Sequence, residues 1–405
     1  MTVRSEESEI RRLEIGVSTS GVRTSVTLLL FEVTSFAWSA QFSEAPPVVW
    51  LWACGSNPAR MRSTEIAILW ARRGFRLILM GQWSQTLCYR CFISRGRRQF
   101  AASWQFVICH FLFPDMRPVI FDTDIGTDVD DILALVLLAK APELQLIGVT
   151  TVYGDTLLRA RIAQVTRDLL QRKEVAVIPG ESRTLTGRQI FWAGLEGYGV
   201  PGLDQVQIPE SIGAVHYLVE SAQRYGNDLE ILATGPLTNI ASAIAKSPEA
   251  LSRIKHLYLM GGAFWMDRYE HNIRCDPEAA KIVFASGIPI TAIGLDLTLR
   301  VRLDKNDVQR IGQIGGGLGP VLQDQILRWW ALWQITENHP HDPLAALAMV
   351  RPDLFIFETG DVKIVAEGRR EGLTRLVENE NSNIRVGFDV LARTAKGEIV
   401  RRIVG

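Results

Sequence analysis

The sequence predicts an α/β protein in which a mostly parallel central sheet is flanked by helices, and this prediction applies to residues 116–405. Short segments rich in apolar and β-branched residues alternate with helical segments throughout this region. Strands that are separated by helices generally pair in parallel and are covered on both faces. Polar residues follow the ends of the strands, which is where ligands bind in parallel sheets.

Six strands are predicted at VIFD, LQLIGVTTV, VAVIPG, LEILATG, HLYLMGG and PITAIGLDLT. The helices between them are DILALVLLAKA, Thr156 to Leu170, AVHYLVESAQRY, NIASAIAKS and PEAAKIVFAS. Two further helices are predicted around Val321 to Thr336 and Asp342 to Val350, and strand-like segments follow to the end of the chain.

Residues 1–115 have a different composition from the rest of the chain. They contain 13 Arg, no Lys and 8 acidic residues, together with six of the eleven Trp. No sustained helical or strand period is found in them. We predict an N-terminal extension of unknown structure, irregular or disordered. One hypothesis is that Met116 is the natural start of the protein and that the extension is a start-site artefact.

Two other interpretations of the extension remain open. Cys88 and Cys91 form a CxxC pair, but the other cysteines of the extension lie at no familiar zinc-site spacing from it. Alternatively, the apolar segments Val26 to Phe31 and Ile66 to Leu69 attach to a membrane surface, although each is far too short to span a bilayer.

Charge and cysteine content narrow the class of protein. Basic and acidic residues balance at 44 each, so the bulk charge indicates no nucleic-acid partner. The α/β region contains one cysteine, Cys275, and therefore no disulfide framework. No segment reaches the roughly 18 consecutive apolar residues of a membrane span, and the N-terminus is too acidic for a signal peptide. We expect a cytoplasmic protein that binds neither nucleic acid nor a membrane.

Five carboxylates lie within ten residues after the first strand of the α/β region. The segment DTDIGTDVDD runs from Asp122 to Asp131 and leads directly into a helix. Helix capping and the helix dipole favour acids here, but these preferences explain only one or two of the five. Such crowding is costly unless a cation lies among the carboxylates, and oxygen ligands favour calcium or magnesium over zinc. The sequence therefore predicts a metal site.

Further polar motifs follow the later strands, and together they resemble one family. The motifs DTDIGTDVDD, TGPLTNIA, LMGGA, EHNIRCDPEAA, GLDLT and HDP resemble, in this order, those of the inosine-uridine-preferring nucleoside hydrolases. The resemblance covers nearly everything from Arg117 to about Leu354. It implies a Rossmann-like fold and calcium-dependent hydrolysis of the N-glycosidic bond of ribonucleosides, giving ribose and a free nucleobase. It also implies a nucleoside as the small-molecule partner and a homodimer or homotetramer.

The resemblance further implies roles for individual residues. Asp124 is expected to bind Ca²⁺ and to act as general base on the attacking water, and His341 is expected to protonate the leaving base. The other calcium ligands are expected to be the carboxylates of Asp131 and Asp342 and the backbone carbonyl of Thr234. The residues expected to contact the substrate are Asp130, Asp155, Glu270 and Asn272.

Several of these roles have simpler alternatives. His341 can instead orient Asp342, and Glu270 and Asn272 can instead cap the helix that begins at Asp276-Pro277. Trp side chains of the α/β region can stack on a base, although buried Trp usually serves packing.

The sequence also departs from the family pattern. The acidic segment has two extra residues, so that either Asp128 or Asp130 takes the sugar-facing role, and Asp130 is favoured because it leads directly into the helix. Asp155 stands where many members have Asn. The segment that begins at Trp192 lacks a frequent His, and Leu299 stands where a His is often found. These departures leave the base preference open.

Two rival functions are alternatives to nucleoside hydrolysis. Asp122-Thr-Asp124 after a strand also suits a haloacid-dehalogenase-like phosphohydrolase with an aspartyl nucleophile and magnesium. That family requires Thr or Val where Gly126 stands, and it does not explain the TGPLTN or HDP motifs. The other rival is a non-catalytic, metal-dependent nucleoside or ribose binder, which the missing pocket histidines favour and the retained acidic residues disfavour.

Overall fold

The computed structural model describes residues 116–209, 212–365 and 368–405 and, within the first 115 residues, the backbone of five strands. The chain divides into two compact units, Met1–Asp115 and Met116–Gly405.

The first unit contains one antiparallel sheet in which the strands follow each other in chain order. The sequence indicated no regular period here, whereas these five segments form regular strands. The CxxC pair of Cys88 and Cys91 lies outside the described residues, and the two apolar membrane-surface candidates fall within β2 and β4. The strands are β1 (Ile10–Thr19), β2 (Val22–Phe31), β3 (Val48–Cys54), β4 (Glu65–Ala71) and β5 (Gly74–Met80).

The second unit is built on a nine-stranded sheet in the order β13-β12-β14-β11-β10-β9-β6-β7-β8. Seven neighbouring strands, from β14 to β8, are parallel, and β12 and β13 add an antiparallel edge. The strands are β6 (Arg117–Thr123), β7 (Leu144–Thr151), β8 (Ala176–Pro179), β9 (Glu230–Ala233), β10 (His256–Met260), β11 (Ile290–Ile293), β12 (Phe355–Ile364), β13 (Thr374–Glu378) and β14 (Ile384–Val390).

Helices alternate with these strands and cover both faces of the sheet. They are α1 (Asp130–Lys140), α2 (Thr156–Leu169), α3 (Ala214–Tyr225), α4 (Thr238–Lys246), α5 (Pro248–Leu251), α6 (His271–Cys275), α7 (Pro277–Phe284), α8 (Leu295–Thr298), α9 (Lys305–Gly312), α10 (Leu318–Trp333), α11 (His341–Val350) and α12 (Ala392–Val404).

Two hydrophobic layers hold the helices on the sheet. On one face α1, α2, α11 and α12 contribute to one buried cluster, and on the other face α3, α4 and α7 contribute to a second. Helix α1 is buried over ten consecutive residues, Asp130 to Ala139, because it packs against α11 and α12 as well as the sheet. Burial on all sides explains why DILALVLLAKA is apolar around the whole helix rather than on one stripe.

The predicted α/β architecture is confirmed, with two local differences. The predicted strand PITAIGLDLT ends at Ile293, and its last four residues form the short helix α8. The chain ends in helix α12 rather than in strand-like segments, because the apolar residues Ala395, Ile399 and Ile403 recur every four residues and pack into the first cluster. Within the part of the chain that the structure describes, no helix has both the length and the apolar character that crossing a bilayer requires.

Candidate active site at the switch point of the sheet

The order of the strands reverses between β6 and β9. From β6 the chain proceeds outward to β7 and β8, and it then returns to build β9, β10 and β11 on the other side of β6. Such a reversal opens a crevice at the carboxyl ends of the two central strands. The acidic segment follows β6 and Thr234 follows β9, and the Thr234 N–H donates to the Asp122 carbonyl at 2.8 Å.

Three buried carboxylates converge in this crevice. Asp130, Asp131 and Asp342 each offer an oxygen, and these oxygens all lie within 4.8 Å of one another. The first two residues begin α1, and Asp342 lies in the first turn of α11. The Asp342 N–H donates to Asp130 Oδ2 at 3.2 Å, which ties the two helix ends together. We refer to these three residues as the carboxylate cluster.

Asp124 lies beside the carboxylate cluster at the end of β6, and it is 5% exposed. Its charge raises the pKa of Asp131 and of Asp342. The Asp124 carboxylate therefore acts electrostatically on the cluster, although it lies outside the 4.8 Å grouping.

Burial and mutual repulsion dominate the electrostatics of the cluster. The pKa of Asp131 is raised well above its usual range by desolvation and then by the charges of Asp124 and Asp130. Desolvation followed by repulsion from Asp130 and Asp131 likewise raises the pKa of Asp342. A divalent cation among these oxygens removes both penalties, and an all-oxygen donor set suits calcium or magnesium. The residues present therefore fit a hard cation.

Asp122 does not join the cluster, although it belongs to the same acidic run. Its Oδ1 accepts hydrogen bonds from Thr150 Oγ1 at 2.5 Å and from Asn239 Nδ2 at 2.7 Å. Desolvation raises its pKa to about 7 despite these bonds. Through Oδ1 this carboxylate thus joins β6 to β7 and to the TGPLTN segment, whereas its Oδ2 is buried without a hydrogen-bond partner among the described residues.

Asn272 holds the backbone of Thr234 in place. Its Nδ2 donates to the Thr234 carbonyl at 2.6 Å and to the Met260 carbonyl at 3.1 Å. The Thr234 hydroxyl donates to Asp131 Oδ1 at 3.1 Å, and Thr123 Oγ1 donates to the same oxygen. A carbonyl has two lone pairs, so the Thr234 oxygen retains the capacity to bind a cation.

Glu270 caps helix α6. Its carboxylate accepts from the backbone N–H groups of Asn272 at 2.8 Å, Ile273 at 3.0 Å and Gly262 at 3.1 Å. The following helix, α7, is capped by Asp276. The capping alternative therefore applies to Glu270 at α6 rather than at the helix that begins at Asp276-Pro277.

His341 lies at the start of α11, next to the cluster. Its Nδ1 is 2.7 Å from Thr298 Oγ1, which belongs to the GLDLT motif. Burial, followed by the charges of His339 and Arg268, lowers the pKa of His341 to about 3. The imidazole is therefore neutral near pH 7.

Asp155 and Asp128 also lie outside the carboxylate cluster. Asp155 is exposed and caps α2 by accepting from Leu158 N at 2.9 Å. Asp128 accepts from the N–H of its neighbour Val129 at 2.5 Å. Of the two candidates for the sugar-facing position, only Asp130 lies in the carboxylate cluster.

Sequence reasoning missed Arg159. Its side chain is completely buried and contacts the backbone of the acidic segment. An arginine in a helix with polar residues is ordinarily a solvated side chain, so nothing in the sequence indicated its burial. The site motifs themselves gave no reason to select it.

Fold and site together define a class: a doubly wound parallel α/β protein whose switch point can hold a divalent cation. A family model for the inosine-uridine preferring nucleoside hydrolases matches residues 119–396. The chain therefore belongs to the inosine-uridine-preferring nucleoside hydrolase family. It is an enzyme of the N-glycosyl hydrolase type.

Individual relatives agree with this assignment. Uridine nucleosidase 1 of Arabidopsis thaliana is 31% identical over 300 residues, which are 68% of this chain and 87% of that protein. A solved plant nucleoside hydrolase, PpNRh1, has a TM-score of 0.66 and 26% identity, covering 72% of this chain and 99% of that one. A solved purine-preferring ribonucleoside hydrolase from Gardnerella vaginalis has a TM-score of 0.63 and 32% identity, covering 71% of this chain and 98% of that one.

Proposed function

We propose that the protein is a calcium-dependent ribonucleoside hydrolase that releases ribose and a free nucleobase, with Asp124 as general base. The observation that carries this proposal is the convergence of three buried carboxylates, contributed by two segments far apart in the chain, at the switch point of the sheet. Burying these charges so close together is unfavourable without a cation, so the arrangement favours a metal-dependent function over a purely structural one.

The proposed calcium ligands are the carboxylates of Asp124, Asp131 and Asp342 and the carbonyl oxygen of Thr234. All four offer oxygen, as calcium requires, and the roughly six to eight ligand positions of calcium leave room for water and substrate hydroxyls. A calcium ion bound there would hold ribose hydroxyls and make a water molecule more acidic.

Residues around this centre would have separate roles in catalysis and in sugar binding. Asp124, the carboxylate beside the cluster, would accept the proton of the attacking water at its Oδ atoms. Asp130 would accept a hydrogen bond from a ribose hydroxyl, and its cluster position favours it over Asp128. The crowded negative charge would also stabilise an oxocarbenium-like sugar in the transition state.

Further residues are proposed to hold the sugar. Glu270 and Asn272 lie at the start of α6, and the hydrogen bond from Asn272 to the Thr234 carbonyl connects this helix start to the cluster. Asp155, at the start of α2, is proposed to reach the substrate from the exposed rim of the crevice, with its capping bond to Leu158 as the competing interaction.

His341 is proposed to serve the leaving base as a neutral imidazole. In this proposal the Thr298 hydroxyl donates to Nδ1, which leaves the ring proton on Nε2 for donation to the base. The lowered pKa means that the donor is not a cation at neutral pH. Thr298 would then act by fixing both the tautomer and the ring orientation.

We also propose an oligomeric state and a cellular compartment. The family resemblance supports a homodimer or homotetramer, which light scattering of the purified protein measures directly. The single free cysteine of the α/β unit, Cys275, is compatible with a cytoplasmic setting, and localisation of a tagged protein tests this. Base preference stays open, since relatives named for uridine and for purines match the chain comparably.

The decisive test is ribose release by the full-length protein. Inosine, uridine, adenosine, guanosine and cytidine are incubated with calcium or with a chelator, and free reducing sugar is assayed. We expect release from at least one nucleoside that requires calcium and that Asp124→Ala reduces by at least about 100-fold, since the general base contributes on the order of 10²–10⁴. The matched control is Asp353→Asn, an exposed carboxylate paired with Arg351.

The outcomes separate the alternatives. Release by the wild-type protein and by Asp353→Asn, but not by Asp124→Ala, supports the proposal. Nucleoside binding in calorimetry without ribose release from any substrate would overturn it in favour of a binding protein. Full activity in the chelator would overturn the metal dependence alone.

A further inference from the structure

Arg159 occupies an unusual position for a charged side chain. It lies in α2 and is 0% exposed. Within the described part of the chain, its guanidinium forms no direct ion pair with a carboxylate. A buried arginine without such a pair must be stabilised by other contacts, because desolvating its charge is costly.

Its hydrogen bonds go instead to two loops that flank the site. Nη1 donates to the carbonyls of Asp124 and, at 3.0 Å, Ile125, and Nη2 donates to Thr127 Oγ1 at 2.9 Å. These three partners belong to the acidic segment after β6. Nε donates at 2.6 Å to the carbonyl of Tyr153, in the loop after β7. One side chain therefore fixes the loops that follow two adjacent parallel strands.

The backbone of Tyr153, whose carbonyl accepts from Arg159, has an unusual conformation. Tyr153 has a φ of +70°, a left-handed conformation that is rare for a bulky residue. The conformation is maintained by backbone bonds from Tyr153 N to the Glu181 carbonyl and from Gly154 N to the Ser182 carbonyl, both 2.8 Å. An unfavourable backbone conformation held from both sides is expected where the direction of a carbonyl matters.

One further contact holds the guanidinium of Arg159. It lies 5.3 Å from the ring centroid of Trp192, which covers it from the segment after β8. Arg159 therefore supplies a rigid set of donors whose direction is fixed on several sides.

We propose that Arg159 is a positioning residue for the reaction: it fixes the backbone of the acidic segment so that Asp124 is directed at the attacking water. This inference rests on the proposed role of Asp124. The planar guanidinium is essential to it, because a lysine ammonium cannot donate along the separate directions of the Asp124, Ile125 and Tyr153 carbonyls.

The test uses three substitutions in the full-length protein. Arg159→Met removes the donors and the charge, and Arg159→Lys retains the charge and a single donor nitrogen but not the planar, multi-directional set of donors. Arg161→Met is the matched control on the same helix, outside the set of contacts to the acidic segment. Arg159→Gln, which keeps a neutral donor, replaces Arg159→Met if the latter does not fold. Each variant is assayed for kcat and KM at saturating calcium, and hydrogen–deuterium exchange is followed in the peptide covering residues 124–131.

We expect Arg159→Met to lower kcat by about 10- to 100-fold, the loss typical of a misplaced catalytic group, with a much smaller change in KM. The kcat of Arg159→Lys should be close to that of Arg159→Met, and the kcat of Arg161→Met should be close to that of the wild-type protein. Exchange of residues 124–131 should accelerate in the Arg159 variants alone. A purely structural role would lower thermal stability without changing kcat per folded molecule.

Three results would overturn the proposal: an unchanged kcat in Arg159→Met, full recovery in Arg159→Lys, or acidic-segment exchange equal to that of Arg161→Met. If the wild-type protein releases no ribose, the proposed function fails, but the exchange comparison still decides whether Arg159 holds the segment. The two failures are therefore distinguishable.

Discussion

Replacement of Asp342 by Asn is expected to have opposite effects on stability with and without metal. The oxygens of Asp130, Asp131 and Asp342 lie within 4.8 Å of one another. At an effective dielectric constant of about 20, two unit charges at this separation repel by about 3.5 kcal/mol. Proton uptake by the cluster relieves part of this repulsion, so we expect about 2 kcal/mol of stabilisation in the chelated Asp342→Asn protein.

The assay is thermal unfolding of the full-length protein in chelator and in calcium. A gain of about 2 kcal/mol corresponds to a rise of about 4–8 °C in the midpoint for a unit of this size. In calcium at about 100 times its dissociation constant, the wild-type protein gains about 2.7 kcal/mol by mass action. Loss of a proposed ligand is expected to weaken calcium binding about 100-fold, so that the variant gains only about 0.4 kcal/mol at the same calcium concentration, less than the roughly 0.7 kcal/mol that would cancel its advantage. The order of the two midpoints should therefore reverse.

The control is again Asp353→Asn, whose exposed carboxylate lies just beyond the other end of α11. Its midpoint should follow that of the wild-type protein in both buffers. A chelated Asp342→Asn protein that melts below the wild type would refute the reasoning, since it would mean that Asp342 stabilises the metal-free fold through contacts rather than destabilising it through charge.

Two further predictions concern pH and the sugar contacts. Burial, with Arg385 and Lys255 nearby, lowers the pKa of His256 from 6.5 to about 4, so between these pH values the unfolded chain binds a proton that the folded chain does not. Stability should fall by about 1–2 kcal/mol as the pH drops through this range, after discounting for the partial exposure of the ring, and denaturant titrations should show a shallower fall for His256→Gln. Glu270→Gln preserves a capping acceptor but removes the charge, and we expect kcat/KM to drop roughly 10–100-fold, the value of a hydrogen bond to a charged group. Unchanged kcat/KM in that variant would restrict Glu270 to capping α6.

The architecture was accessible from sequence because it depends on local patterns. Alternating β-branched strands and helices predicted the parallel sheet, and DILALVLLAKA was predicted as the helix that is now α1. The C-terminal helix α12 was missed because its several Arg and Lys residues obscure the four-residue recurrence of its buried positions. The boundary of β11 was missed because GLDLT continues an apolar segment without a proline or glycine pair to end it.

The site was accessible only in part. The rule that ligands bind at the carboxyl ends of parallel strands placed Asp131 and Thr234 together, but the approach of Asp342 depends on how α11 packs against α1. No periodicity reports such a long-range contact, and only the family resemblance suggested it. Spacing also could not separate Asp122 from the metal-site candidates of the acidic run, because it does not show that this side chain turns toward Thr150 and Asn239.

The carboxylate cluster has a consequence for the way the protein is made. Two of its members are synthesised early, at the start of α1, whereas Asp342 emerges from the ribosome more than 200 residues later. A nascent or truncated chain that ends before α11 lacks the third carboxylate of the cluster. If the proposed metal site is correct, its full set of carboxylates is therefore available only once the chain through α11 has been made, and prematurely terminated products should bind the ion more weakly than the complete chain.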